Sequence, residues 1–401
     1  MTPVERAVAE AHRREWATVL AATVRATRDL DLAEECVQDA FVDALGAWTR
    51  GGVPARPGAW LTVAARHNAL DALRRAGTLR SKLHLLVEPD ADPTGPAERD
   101  DRLRLVFLCC HPALAVEAQV ALTLRLVCGV TTRDIAGAFL VPEATMAARI
   151  TRAKKKIAAA RIPFRLPAPS ELPDRLDAVL TTIYLLFTTG HTVPTGPELT
   201  SDDLAGRALD LARMLRDLMP DEREVRGLLA LVLANHARSA TRAGADGLLL
   251  RLEEQDRSAW DQEAIAEAHG LVLGALRGGP GRYALQAAIA ALHATAPTYA
   301  DTDWSQILVL YDELLAIWPS PVVALNRTVA VAMVHGPDAA LVEIGRLERD
   351  GRLAGYRYVP AIKADLLHRL GRDAEAAAEY ERALTLSDNE AERAFLAGRL
   401  S

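Results

Sequence analysis

The clearest alternation of apolar and polar positions lies in residues 131–157. Thr131 is followed three residues later by Asp134, a capping-box spacing placed before the apolar positions Ile135, Ala136 and Phe139. Pro142 cannot continue that helix but fits the first turn of another. In the second helix Met146, Ile150, Ala153 and Ile157 recur at i, i+4, i+7 and i+11, which predicts one buried stripe. The opposite face carries Thr145, Arg149, Arg152 and Lys156, with Lys154 and Lys155 beside them. A helix-turn-helix with one cationic face suits the major groove of duplex DNA, where Arg and Lys meet phosphates and guanine edges. A helical hairpin with a solvated basic face is the plainer alternative.

Two more amphipathic stretches precede it. In residues 31–48, Leu32, Cys36 or Val37, Ala40, Phe41, Ala44 and Trp48 form the apolar stripe. Asp31, Glu35, Asp39 and Asp43 stack at i+4 spacing on another face, with Gln38 beside them. Like charges at this spacing repel by a few tenths of a kcal/mol per pair. Such a stripe is either solvated surface or a docking face for a basic partner. The next helix begins after Pro57-Gly58 and sets His67, Asp71, Arg74 and Arg75 on one side, with Arg66 and Asn68 adjacent. Residues 88–101 combine three prolines with a dense acidic run, and residues 161–174 hold four prolines, so both are expected as linkers that pack no core.

Composition turns these segments into a class. Half of the 401 residues are apolar, which with Ala and Leu dominant and few β-branched runs predicts an all-α protein of two or three domains. The net charge of −6 looks wrong for a DNA-binding protein until it is divided. Residues 1–165 hold 24 Lys and Arg against 19 Asp and Glu, a net of +5, whereas the remainder carries −11. Only the front should therefore touch nucleic acid. Cys36, Cys109, Cys110 and Cys128 contain no C-x-x-C pair and are expected as small buried hydrophobes, with no metal and no cofactor. Charges at Glu5, Arg6 and Glu10 argue against a signal peptide, and no apolar run approaches the roughly 18–20 residues of a membrane span, so a cytoplasmic location is expected. His191, His236, His269, His293, His335 and His368 are scattered without a nucleophile or paired carboxylate at a recognisable spacing, so no enzyme is expected.

The order of the segments resembles an RNA polymerase sigma factor of the extracytoplasmic-function type, which has only regions two and four. AEECVQDAFVDALGAW resembles the family's core-binding helix, WLTVAARHNALDALRR its promoter-melting helix, and TTRDIAGAFLVPEATMAARITRAKKKI its region-four motif. Met146 and Ala147 depart from the usual β-branched residue and Lys or Ser. The resemblance implies core RNA polymerase and promoter DNA as partners. It assigns Asp31, Glu35, Gln38 and Asp39 to polymerase docking. Trp60, Arg66, His67, Asn68, Asp71, Arg74 and Arg75 would hold the −10 strand. Thr132, Arg133, Thr145, Arg149, Arg152, Lys154, Lys155 and Lys156 would meet the −35 element. The domains expected are region 2 over 1–80, an acidic linker over 81–101, region 4 over 102–162, a proline-rich linker over 163–174, a helical domain of unassigned role over 175–290, and repeats over 291–401.

Those repeats rest on LGRDAEAAAEYERALTLSD, which resembles the second half of a tetratricopeptide repeat through Gly371, Ala376, Tyr380, Ala383 and Leu384, with Asp388 where Pro is usual. Tyr311, Leu314, Leu315 and Pro319 occupy the same relative offsets upstream, and Tyr311 to Tyr380 spans 69 residues, close to twice the 34-residue period. A subset of these sigma factors resembles this whole layout, which implies a C-terminal extension that contacts a protein or peptide and regulates or supports activity. The rival reading is a helix-turn-helix regulator with a sensing repeat domain.

Overall fold

A computed structural model describes residues 2–75, 96–139, 141–191, 195–196, 202–244 and 249–400. The protein is all-α, and its chain divides into two compact units, Met1–Leu185 and Leu186–Ser401.

The first unit opens with α1 (Pro3–Thr27), started by a capping box in which the Thr2 hydroxyl accepts from the Glu5 N–H at 3.1 Å. The Asp29 carboxylate caps α2 (Leu30–Gly51), accepting from the N–H groups of Asp31 and Leu32. These two helices and α3 (Pro57–Arg75) pack on one another around Trp16, Leu20, Phe41, Trp48 and Leu61. The predicted stripe of α2 is buried from Cys36 to Trp48, with Leu32 at its margin.

Next comes α4 (Pro96–Cys109), which lies along α1. Residues 81–95 of the expected acidic linker fall outside the described residues, but its end does not behave as a linker. Pro96 opens α4, and Asp101 is buried, 3.1 Å from Arg25 and 2.5 Å from Arg104. Proline at a helix start and acids in the early turns favour a helix N-terminus, and the two arginines neutralise the buried acid.

α5 (Val116–Leu122) runs into a π-helical turn, Thr123–Val127. The buried Trp16 indole N–H donates to Leu126 O there at 3.0 Å. Helices α6 (Thr132–Ala138) and α7 (Glu143–Ala159) follow, then α8 (Leu172–His191). The proline-rich segment is no loose tether. Glu171 pairs with Arg165 at 2.8 Å, and α8 sends Arg175 to Phe107 O at 2.7 Å and Thr182 to Gln119 at 3.3 Å.

The second unit stacks α9 (Asp202–Leu218), α10 (Arg223–His236), α11 (Gln262–Ala275) and α12 (Arg282–Thr295). Helices α10 and α12 touch so closely that a Cβ on Gly227 would lie 2.6 Å from the Ala284 nitrogen. The chain continues through α13 (Trp304–Ile317), α14 (Pro321–His335), α15 (Pro337–Asp350), α16 (Tyr358–Arg369), α17 (Asp373–Leu386) and α18 (Glu390–Gly398), each packed on its predecessor. The turn from α16 to α17 passes through Gly371 at φ +70°, and Ala376, Tyr380 and Ala383 close the core with Ala364, Leu367 and Leu396. A two-residue parallel pairing, Thr195–Gly196 with Asp388–Asn389, is small enough to leave the class unchanged.

Candidate nucleic-acid and partner interface

The helix-turn-helix is built as its sequence dictates. The Thr131 hydroxyl accepts from the Asp134 N–H at 3.1 Å and donates to the Asp134 carboxylate at 2.6 Å. Pro142 is the N-cap of α7, its carbonyl accepting from Thr145 N at 2.9 Å and Met146 N at 3.1 Å. Met146, Ile150, Ala153 and Ile157 are all buried. Thr145, Arg152, Lys155 and Lys156 are exposed, and Arg149 is half-buried. Arg133 is exposed and Thr132 half-buried in the first turn of α6. An ordered helix thus offers a row of cations to solvent, with Arg149 set where packing restricts its rotamers.

Lys154 departs from that row. Its Nζ donates to Asp31 Oδ1 at 2.8 Å and to Glu34 Oε2 at 2.6 Å, and only 10% of its side chain is exposed. Burial opposes its charge, but the two carboxylates outweigh that penalty and its pKa stands above the ordinary lysine value. The expected phosphate contact is therefore engaged on α2 in this conformation. Glu34 is the residue that sequence reasoning missed. It is 6% exposed, and its carboxylate meets Lys154, Arg125 and the Gln38 amide. An acid among the apolar positions of α2 was the available signal, since a buried carboxylate needs a cation.

The acidic face of α2 remains open beyond that contact. Glu35, Gln38, Asp39 and Asp43 are exposed, as is most of Asp31. Val42 and Leu45 stand exposed among them, at 66% and 41%. These apolar side chains make the charged face amphipathic.

On α3 the candidates separate. His67, Asp71, Arg74 and Arg75 are exposed, Arg66 is half-buried, and Asp71 pairs with Arg74 at 3.2 Å. Trp60 is half-buried, edge-on to Trp48 with ring centroids 5.8 Å apart. The Asn68 amide donates to Cys36 O at 3.3 Å and lies 3.5 Å from an Asp43 oxygen, so in this conformation it ties α3 to α2. The Cys36 thiol is pushed up to about 11 by burial and by Glu35 and Asp39. Burial likewise raises Cys109 and Cys110, which keeps these thiols neutral, as small buried hydrophobes are. Among the described residues no helix is long and apolar enough to cross a membrane.

Comparison with known proteins agrees with this geometry. Residues 10–78 match sigma-70 region 2, residues 104–157 match sigma-70 region 4, and residues 175–276 match a family of unknown function, DUF6596. The chain is 44% identical over 387 residues to the uncharacterized protein R00370 of Rhizobium meliloti (strain 1021), covering 94% of this chain and 91% of that one.

Proposed function

The chain belongs to one family with the Rhizobium meliloti protein and carries sigma-70 regions 2 and 4, and from that premise we propose an alternative sigma factor of the extracytoplasmic-function type. Sigma-70 regions 2 and 4 serve promoter recognition and transcription initiation. In the proposed mechanism the exposed acids and apolar side chains of α2 dock on core RNA polymerase. Arg66, His67, Arg74 and Arg75 engage the −10 strand, and unstacked bases recover on Trp60 part of the few kcal/mol that extrusion costs. Thr145 and Arg149 read the −35 groove while Arg133, Arg152, Lys155 and Lys156 grip phosphates. Asn68 joins the −10 group once its bond to Cys36 O opens.

The observation that carries this reading is the pairing of an exposed cationic helix-turn-helix with an exposed acidic, partly apolar helix, each within its matching region. In this reading Lys154 reaches DNA only after leaving Asp31 and Glu34, so promoter engagement opens the contact between α7 and α2. The C-terminal unit is read as a tetratricopeptide-like extension that contacts protein and modulates activity. Support comes from its successive helical hairpins and from the burial of Ala376, Tyr380 and Ala383 at the repeat positions. Run-off transcription with purified core polymerase tests the assignment. Promoter-specific transcripts are expected only when the protein is added. Operator binding without polymerase dependence would favour the duplex-binding regulator instead.

A further inference from the structure

Two arginines stand where a chain ordinarily places glycine. Arg28, at the end of α1, has φ +58°, and Arg161, just past α7, has φ +49°. Among the described residues these are the two non-glycine residues at positive φ. Each closes its helix in a left-handed turn, with the Arg28 N–H donating to Val24 O at 2.8 Å and the Ile162 N–H to Ile157 O at 3.0 Å. Glycine is usual at such a turn because a Cβ is strained there. A cation favours a helix C-terminus, but Arg25 and Lys156 already supply one in the last turn of each helix. The helix ends alone do not account for the two arginines.

Both of them line one cleft of about 480 Å³, formed by the ends of α1 and α7 and the start of α2. Its floor is apolar, with Leu30, Leu108 and Ile157 buried and Phe164 half-buried. Its lip is charged. Arg28, Lys155 and Arg161 are exposed and, among the described residues, make no ion pair or side-chain hydrogen bond. The other charged residues of the lining are engaged. Lys154 bonds Asp31 at 2.8 Å and, behind it, Glu34 at 2.6 Å. The Asp29 carboxylate caps α2, accepting from the Asp31 and Leu32 N–H groups. That leaves Arg28, Lys155 and Arg161 with Asp29 as the one counter-charge.

We propose that this cleft binds a small amphipathic acid, its apolar body on the floor and its anionic head met by Arg28 and Arg161. The volume is that of a small-molecule site. Burial of the apolar body supplies affinity, and pairing of guanidinium with carboxylate supplies orientation. Lys154 and Asp31 also line the cleft, so the ligand touches both sides of the contact between α7 and α2. On the sigma-factor reading this gives promoter engagement a chemical input. Binding itself needs neither polymerase nor DNA, so it stands or falls apart from that reading.

The test is titration calorimetry on the full-length protein with decanoate, octanoate and 1-decanol. Saturable binding of decanoate is expected, up to about 15-fold tighter than that of octanoate, the ratio for two buried methylenes. 1-Decanol carries the same chain without the charge and should bind more weakly. The double variant Arg28→Gly with Arg161→Gly should weaken decanoate about 4- to 25-fold, at about 2- to 5-fold for each exposed charge pair, and leave 1-decanol unchanged. Arg50→Gln, exposed at the other end of α2, should alter neither. Glycine suits a positive φ, so the double variant should keep its circular dichroism melt. Arginines that served only the helix ends would instead lower the melt and leave decanoate binding intact. If the double variant does not fold, the wild-type contrast between decanoate and 1-decanol decides by itself. Absence of saturable decanoate binding, equal binding of 1-decanol, or undiminished decanoate binding in the folded double variant overturns the proposal.

Discussion

Arg149 and Lys155 lie on the same helix in different surroundings, and the difference fixes what each loss should do. Arg149 is half-buried, so its approach to the groove is constrained, whereas Lys155 is exposed. Arg149→Ala should weaken −35 binding by about 1–3 kcal/mol in a sequence-dependent manner. Lys155→Ala should weaken all sequences alike and flatten the salt dependence. Fluorescence anisotropy on matched and scrambled promoters separates the two, and a uniform loss from both would refute the division. His293 carries a pH signature. Burial, followed by Arg238 and Arg257, depresses it to about 4 from an ordinary 6.5. The unfolded chain therefore binds the proton first, so this contribution is full above about pH 6.5 and is lost as pH falls through about 4. Thermal melts of the second unit should lose stability over that window, and His293→Gln should flatten the slope there. The solvent-facing residues of α7 were legible in sequence because a buried stripe at helical spacing defines its opposite face. Lys154, Glu34 and Asn68 were not, because the partners that turn them inward lie 25 or more residues away along the chain.

Helices meet through a few such side chains, and the contact of α7 with α2 is the one that bears on function. Lys154 lies between Asp31 and the buried Glu34, and Arg125 holds the other Glu34 oxygen. Lys154→Gln should destabilise the closed pairing by about 1.5–3 kcal/mol, the range for a hydrogen bond to a charged group. Intramolecular energy transfer between labels on α2 and α7 should then report a larger mean distance. Promoter binding in the presence of core polymerase should suffer little, since opening is favoured while one phosphate contact is lost. A variant whose label distance does not change would remove the latch from the mechanism. The helices themselves were readable from sequence wherever caps and stripes coincide, as at Thr131, Pro142 and Pro57-Gly58. The π-helical turn at Thr123–Val127 was not, because its sequence carries no local mark of it and a tertiary bond from Trp16 meets its carbonyl at Leu126. The helix starting at Pro96 was hidden for the opposite reason. Its acidic, proline-led opening reads as a linker until Arg25, from a distant helix, neutralises Asp101.

At the scale of the whole molecule the question is what the second unit adds to the first. The first unit has its own core and extends to Leu185, because Arg175 and Thr182 of α8 bond back to Phe107 and Gln119. A cut at residue 165 would remove those bonds, whereas a cut after His191 keeps α8 whole. We therefore expect the 1–191 fragment to melt at a higher temperature than the 1–165 fragment, checked by circular dichroism. The 1–191 fragment retains every residue assigned to promoter and polymerase, so its promoter choice should match that of the full chain. Its activity should differ, since a covalently attached unit acts at high effective concentration. Permanent attachment fits a unit that assists at the promoter better than an inhibitor that must be released, so run-off transcription by the fragment should fall below that of the full chain. A rise would make the extension an inhibitor. Unchanged output with a different promoter set would show that the second unit takes part in promoter reading, against the acidic balance of residues 166–401, in which 34 Asp and Glu face 23 Lys and Arg and which DNA phosphates would repel.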